Sequence, residues 1–94
     1  MNDRDKLLAT LLELGNDSVE IANNLGKLGI KGKTRSSVSC PIANYLTIKG
    51  YKQVKVAGWI LVCINGQEIC CNCPMYFDRF MTAFDTGAYP NLIQ

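Results

Sequence analysis

The chain contains no histidine. That removes the side chain that most often moves protons near neutral pH and most often binds a transition metal. Ser-His and Cys-His nucleophile pairs and His-metal sites are thereby excluded within the chain. A second absence concerns charge of one sign. From residue 21 to residue 67 there is no aspartate or glutamate, yet Lys27, Lys31, Lys33, Arg35, Lys49, Lys52 and Lys55 all fall there. The flanks run the other way. Asp3, Asp5, Glu13, Asp17 and Glu20 outnumber Arg4 and Lys6 before the block, and Glu68, Asp78 and Asp85 outnumber Arg79 after it. The modest net charge of +2 therefore conceals a strong internal polarity. A field of one sign draws an oppositely charged partner and speeds its encounter.

Long apolar runs are also missing. The longest, Trp59 to Ile64, is six residues, whereas a membrane-crossing helix needs about 20. The first residues, Met-Asn-Asp-Arg-Asp-Lys, lack the apolar stretch of a signal peptide. The expectation is a soluble, cytoplasmic protein with no membrane partner. With 94 residues, 48% hydrophobic and 19% charged, the composition is globular and fits one domain spanning 1–94.

Periodicity assigns most of the chain. Leu7, Leu8, Leu11, Leu12 and Leu14 recur at helical spacing, predicting a helix over 3–14 with Asp3 as N-cap and Gly15 as its stop. Asp17 and Glu20 form an acidic capping box for a second helix. Its apolar stripe is Ile21, Ala22, Leu25 and Leu28, and Gly29 ends it. Residues 29–39 have no period, and their glycine, serine and basic residues predict an exposed, mobile loop. Cys40-Pro41 opens a third short helix with proline at its first position. From Tyr51 the pattern turns to β. Val54 and Val56 alternate with polar residues, Trp59–Ile64 is dense in strand formers, and Asn65-Gly66 is a strong hairpin signal. Ala57-Gly58 fits either a tight turn or a bulge in one long strand, giving a sheet of two or three strands, with the three-stranded meander favoured. Cys73-Pro74 repeats the Cys-Pro helix start, followed by a stripe of Phe77, Phe80, Met81 and Phe84. The tail to Ile93 is apolar enough to dock back. The order predicts an α+β fold: three helices, a small antiparallel sheet, and a C-terminal helix.

Five cysteines admit several chemistries. Cys70 and Cys73 form a C-x-x-C, but a zinc site drawing on Cys40, Cys63, Cys70 and Cys73 lacks a second knuckle. A two-residue turn at Asn65-Gly66 sets Ile64 opposite Gln67, Cys63 opposite Glu68 and Leu61 opposite Cys70. Cys63 and Cys70 are then diagonal neighbours about 7–8 Å apart, beyond ordinary disulfide reach. A thioredoxin-like dithiol wants a βαβ unit, not an antiparallel hairpin. Buried free thiols are the plainer reading, with Cys40 and Cys73, at helix starts, the best candidates for reactivity. No cofactor is expected.

Two motif resemblances fail. Gly26–Thr34 resembles a phosphate-binding P-loop, but Lys27 stands where its first glycine belongs and the segment follows a helix. Glu20–Gly26 resembles the start of a helix-turn-helix, but the following loop is far longer than that motif's turn. Gly-Ile-Lys-Gly, Cys-Pro-Ile-Ala-Asn-Tyr-Leu and Phe-Asp-Thr-Gly-Ala-Tyr-Pro-Asn-Leu have the density of signatures, without an activity attached.

The leading expectation is a non-catalytic binding module. Lys27, Lys31, Lys33, Thr34 and Arg35 on a glycine-rich loop, with Lys49, Lys52 and Lys55, would contact an anionic partner, with nucleic acid as the default and an anionic protein surface as the other choice. Tyr45, Tyr51 and Trp59 are candidate stacking faces, although Tyr45 and Trp59 fit a core better. The alternative is a protein-interaction module, such as an inhibitor or accessory subunit of the kind phages and mobile elements encode. Thiol-redox or zinc chemistry comes third, and self-association into a homodimer is left open. The discriminating question is whether the two basic clusters share a face. If they point apart, the protein-interaction reading replaces the anion-binding one.

Overall fold

The structure, a computed structural model, describes residues 3–94. Three helices come first: α1 (Asp3–Leu12), α2 (Ser18–Leu28) and α3 (Pro41–Ile48). Strands β1 (Lys52–Val56), β2 (Trp59–Ile64) and β3 (Gln67–Asn72) follow, then α4 (Met75–Asp85) and a 3-10 turn at Pro90–Leu92. This is the α+β order that the periodicity predicts.

Local chemistry explains most boundaries. Asp17 caps α2, its side chain accepting from Glu20 N–H at 2.8 Å, while Glu20 Oε1 accepts from Asn16 N–H at 3.2 Å. The box thus closes one residue earlier than the usual pattern. At the other end Gly29 takes φ 72°, and Gly29 and Ile30 N–H groups return to Gly26 and Leu25 carbonyls. That is a Schellman closure with Ile30 buried as its apolar partner. Asp3 lies in the first turn of α1 rather than capping it. Leu28, counted in the apolar stripe of α2, is 59% exposed. Proline opens α3 as expected, with Cys40 as N-cap. In α4 the second Cys-Pro behaves differently, because Pro74 is itself the N-cap and Cys73 stays outside.

The sheet is an antiparallel meander in the order β1-β2-β3. Asn65 and Gly66 both have positive φ, 52° and 81°, as a type I′ turn requires. The resulting register pairs Ile64 with Gln67, Cys63 with Glu68 and Leu61 with Cys70, as the turn length dictates. In β1 the pairing is Lys52 with Cys63 and Lys55 with Leu61, with a bulge between them. Gln53, at φ 53°, lies in that bulge.

One core unites these elements. Leu7, Leu11, Ile21, Leu25, Ile42, Leu46, Phe77, Phe80 and Phe84 meet Val54, Val56, Ile60, Val62 and Cys71 from the sheet. The buried side chains of the helices therefore pack on one face of the sheet, and the start of α1 flanks the β3 edge, where Arg4 lines a groove with Glu68 and Cys70. The tail docks as expected: Leu92 is buried, and a parallel bridge joins Gly32 to Ile93. Among the described residues no helix is long and apolar enough to cross a membrane.

Candidate functional site

The loop at 29–39, expected to be exposed and mobile, is tied to the body along its length. Gly32 N–H donates to Leu92 O at 2.9 Å, and Gln94 N–H returns to Gly32 O at 2.8 Å. Lys33 N–H donates to Ser39 O, and Asn44 Nδ2 donates to Lys31 O and Ser39 O. Ser37 O accepts from Val56 N–H at the edge of β1. Gly32 is packed so closely that a methyl group there would overlap the backbone at Ser39, Cys40 and Pro41. The three signature-like segments thus converge and hold one another.

This changes the anion site. The backbone N–H groups that glycine was expected to offer already have intramolecular acceptors. At Arg35, whose φ is 57°, the N–H donates to Asp85 Oδ1 at 2.8 Å. The chain's own carboxylate occupies the place an external anion would take. Arg35 also borders a groove with Asp78 and Asp85, so its surroundings are acidic.

The remaining cations divide between surfaces. Lys27 and Lys49 line one groove together with Glu13. Lys49 Nζ lies 3.4 Å from Glu13 Oε2 and 5.6 Å from the Tyr45 ring centre. Lys31 and Lys33 are exposed on either side of Gly32, and Thr34 is half-buried. Lys52 and Lys55 project from the sheet. The basic residues thus have different neighbours: Lys27 and Lys49 share a groove with Glu13, Arg35 borders Asp78 and Asp85, and Lys52 and Lys55 stand on the sheet.

Two of the three aromatic candidates present no ring to a ligand. Tyr45 is 2% exposed and Tyr51 8%. The Tyr45 hydroxyl lies 3.0 Å from Thr10 O and 3.1 Å from Glu13 Oε2. Burial, reinforced by the Glu13 carboxylate, pushes its pKa up to about 12. Trp59 behaves oppositely. A core position fitted it better, yet it is 42% exposed.

The reason lies in the sheet. Alternation sends Ile60 and Val62 of β2 into the core, and Trp59, Leu61 and Cys63 to the other face. Leu61 and Cys63 are half-buried by neighbouring strands and are not among the residues packed on the core. Cross-strand pairing builds this outer face in rows: Lys52, Cys63 and Glu68; then Lys55, Leu61 and Cys70; then Trp59 and Asn72. The middle strand is apolar and its flanks are charged or polar. The sequence reading missed this surface. The signal was present in the single-sided alternation of Val54 and Val56 with Lys55, but Trp59, in the strand densest in apolar residues, fitted a core better.

The cysteines separate too. Cys40 is fully buried, its Sγ accepting from Ala43 N–H at 3.3 Å. Cys63 and Cys70 lie on the opposite, outer side of the sheet. The four-thiolate set of Cys40, Cys63, Cys70 and Cys73 is therefore not assembled. Among the described residues no three Cys, Asp or Glu side chains come together as metal ligands do. Nor are Cys40 and Cys73 activated. Burial raises the pKa of both, and burial together with the Asp78 charge takes Cys73 up to about 12. Desolvation outweighs the helix terminus here. The most exposed thiol is Cys70.

No protein-family model, curated protein or solved structure matches this chain.

Proposed function

We propose that the protein is a small non-catalytic interaction module that docks a partner protein on the outer face of its sheet. The observation that supports this reading is the middle strand. Trp59, Leu61 and Cys63 stand together outside the core, with Lys52, Lys55, Glu68 and Asn72 around them. An aromatic and aliphatic centre within a polar rim is the anatomy of a protein interface. The acids beside Arg35 and Lys49 and the internal acceptors of the loop N–H groups favour this reading over an anion-binding loop.

The test is capture of a partner by the tagged chain, compared with Leu61→Glu. The outer-face substitution leaves the core intact, so its circular dichroism should match the parent. Recovery of a dominant protein that survives nuclease treatment and is lost with Leu61→Glu is expected. Recovery unchanged by Leu61→Glu would remove the outer face from the proposal.

A second reading rests on one feature of the same face. The exposed Trp59 ring lies on the same face as Lys52 and Lys55, and an aromatic beside cations can stack unpaired bases. Two phosphate contacts would give log K against log salt a slope of roughly −1.4 for a single strand. Binding to an unstructured oligonucleotide with that slope, abolished by Trp59→Ala, would favour nucleic acid over protein.

A further inference from the structure

The outer face carries a pattern that selects its own copy. Resting on the reading of this face as a docking surface, we propose that its partner is a second copy of the chain, related by a two-fold axis running along β2. The rows decide the geometry. If the axis runs along β2, each row meets itself across the interface and β1 of one copy lies over β3 of the other. Lys52 of each copy then faces the Glu68 position of its partner, because both belong to the row of Cys63. Trp59, Leu61 and Cys63, all on the axis strand, meet their own equivalents. The aliphatic stem of Lys55 lies over the row position of Cys70.

The competing two-fold, perpendicular to the strands, sets β1 over β1. It would bring Lys52 and Lys55 of one copy onto Lys55 and Lys52 of the other and set Glu68 over the Cys70 position, with no acid facing either lysine. Like charges in register are disfavoured. The sheet therefore discriminates between its two ways of packing on itself, and an isologous interface needs that kind of self-complementarity. Two aligned sheets packed about 10 Å apart also match the ordinary geometry of a β-sandwich. Three strands of this length give a face about 20 Å by 14 Å. That is small beside the roughly 800 Å² per partner of a standard interface, so the association is reversible and concentration-dependent.

The purified full chain, kept reduced so that Cys70 forms no disulfide, is examined by sedimentation velocity from ~10 µM to ~1 mM, a range that brackets weak dimers. A monomer–dimer equilibrium is expected, with Trp59 emission shifting to the red on dilution. Lys52→Glu and Glu68→Lys should each weaken the dimer by roughly 10-fold, and the double exchange should bring it back to within about 3-fold of the parent. Both positions are exposed, so matching circular dichroism spectra confirm that folding is unaffected. A chain that stays monomeric throughout, a dimer indifferent to Leu61→Glu, or a double exchange no better than the single variants each overturns the proposal. A monomeric chain that still loses a foreign protein partner on Leu61→Glu would sink self-pairing alone and leave the docking reading intact.

Discussion

Two segments carry five of the ten basic residues, and they differ in what the fold leaves available. Around the 29–39 loop, the backbone donors of Gly29, Ile30, Gly32, Lys33 and Arg35 have acceptors within the chain. The β1–β2 hairpin keeps its backbone in a ladder, and among the described residues Trp59, Leu61 and Cys63 on its outer side are not packed against the core. The loop has the composition of a binding site and the hydrogen bonding of a structural joint. The hairpin has the composition of a core and the exposure of a docking surface. The lesson is that charge and glycine content describe what a segment is able to bind. Whether it still can depends on where its donors already point.

The contrast breaks most sharply at Gly32. A Gly32→Ala change has to push apart the backbone at Ser39, Cys40 and Pro41. It should cost roughly 3 kcal/mol or more, as overpacking against backbone does. A urea midpoint shift read by circular dichroism measures it. A loss under about 0.5 kcal/mol would mean the loop is freer than its hydrogen bonds indicate.

Next comes the carboxylate that occupies the loop. Asp85→Ala removes the acceptor for Arg35 N–H and should cost about 1 kcal/mol, the scale of a partly solvated charge-assisted hydrogen bond. The same variant should gain weak affinity for sulfate or phosphate, measurable as anion-dependent thermal stabilisation. No gain would show that the loop is not an anion site even when vacated.

Alkaline pH sharpens the difference between buried and outer groups. Cys73 has its pKa raised from 9.0 to about 12, and Tyr45 from 10.0 to about 12. Above the unfolded values the unfolded state releases these protons and the folded state holds them. Stability is therefore full below pH 9 and falls as pH rises from 9 toward about 12. Cys73→Ala should flatten the first part of that decline in denaturation measured against pH. Alkylation at neutral pH should modify Cys70 first, with Cys40 and Cys73 reacting only on unfolding.

The smallest effect belongs to the hairpin's outer face. Lys52→Glu should change monomer stability by no more than about 0.5 kcal/mol, as surface substitutions away from special features usually do. A larger loss would mean that Lys52 supports the bulge in β1, and not only the surface.

Much of the fold was legible because its signals are local. Asp17 and Glu20 cap α2, Gly29 closes it, Pro41 opens α3, and Asn65-Gly66 sets a register that the strands follow residue for residue. The candidate site was legible only in pieces. Trp59, Lys52 and Lys55 stood out in the sequence as binding residues, but beside Tyr45 and Tyr51, which the core takes. Leu61 was missed as a surface residue, since an apolar side chain in an apolar strand carries no mark of which face lacks a cover.

The order of elements, their caps, the hairpin register and the exclusion of histidine-dependent chemistry all follow from residues near one another in the chain. Capping, turn geometry and period are short-range effects, so the sequence alone determined them. Which side of the sheet the helices cover, and which donors of the basic loop remain unused, only the tertiary structure decided. Those outcomes depend on partners far away in the chain: Asp85 reaching Arg35 and Leu92 reaching Gly32. Alternation tells which residues of a strand share a face, but not whether anything is packed against it.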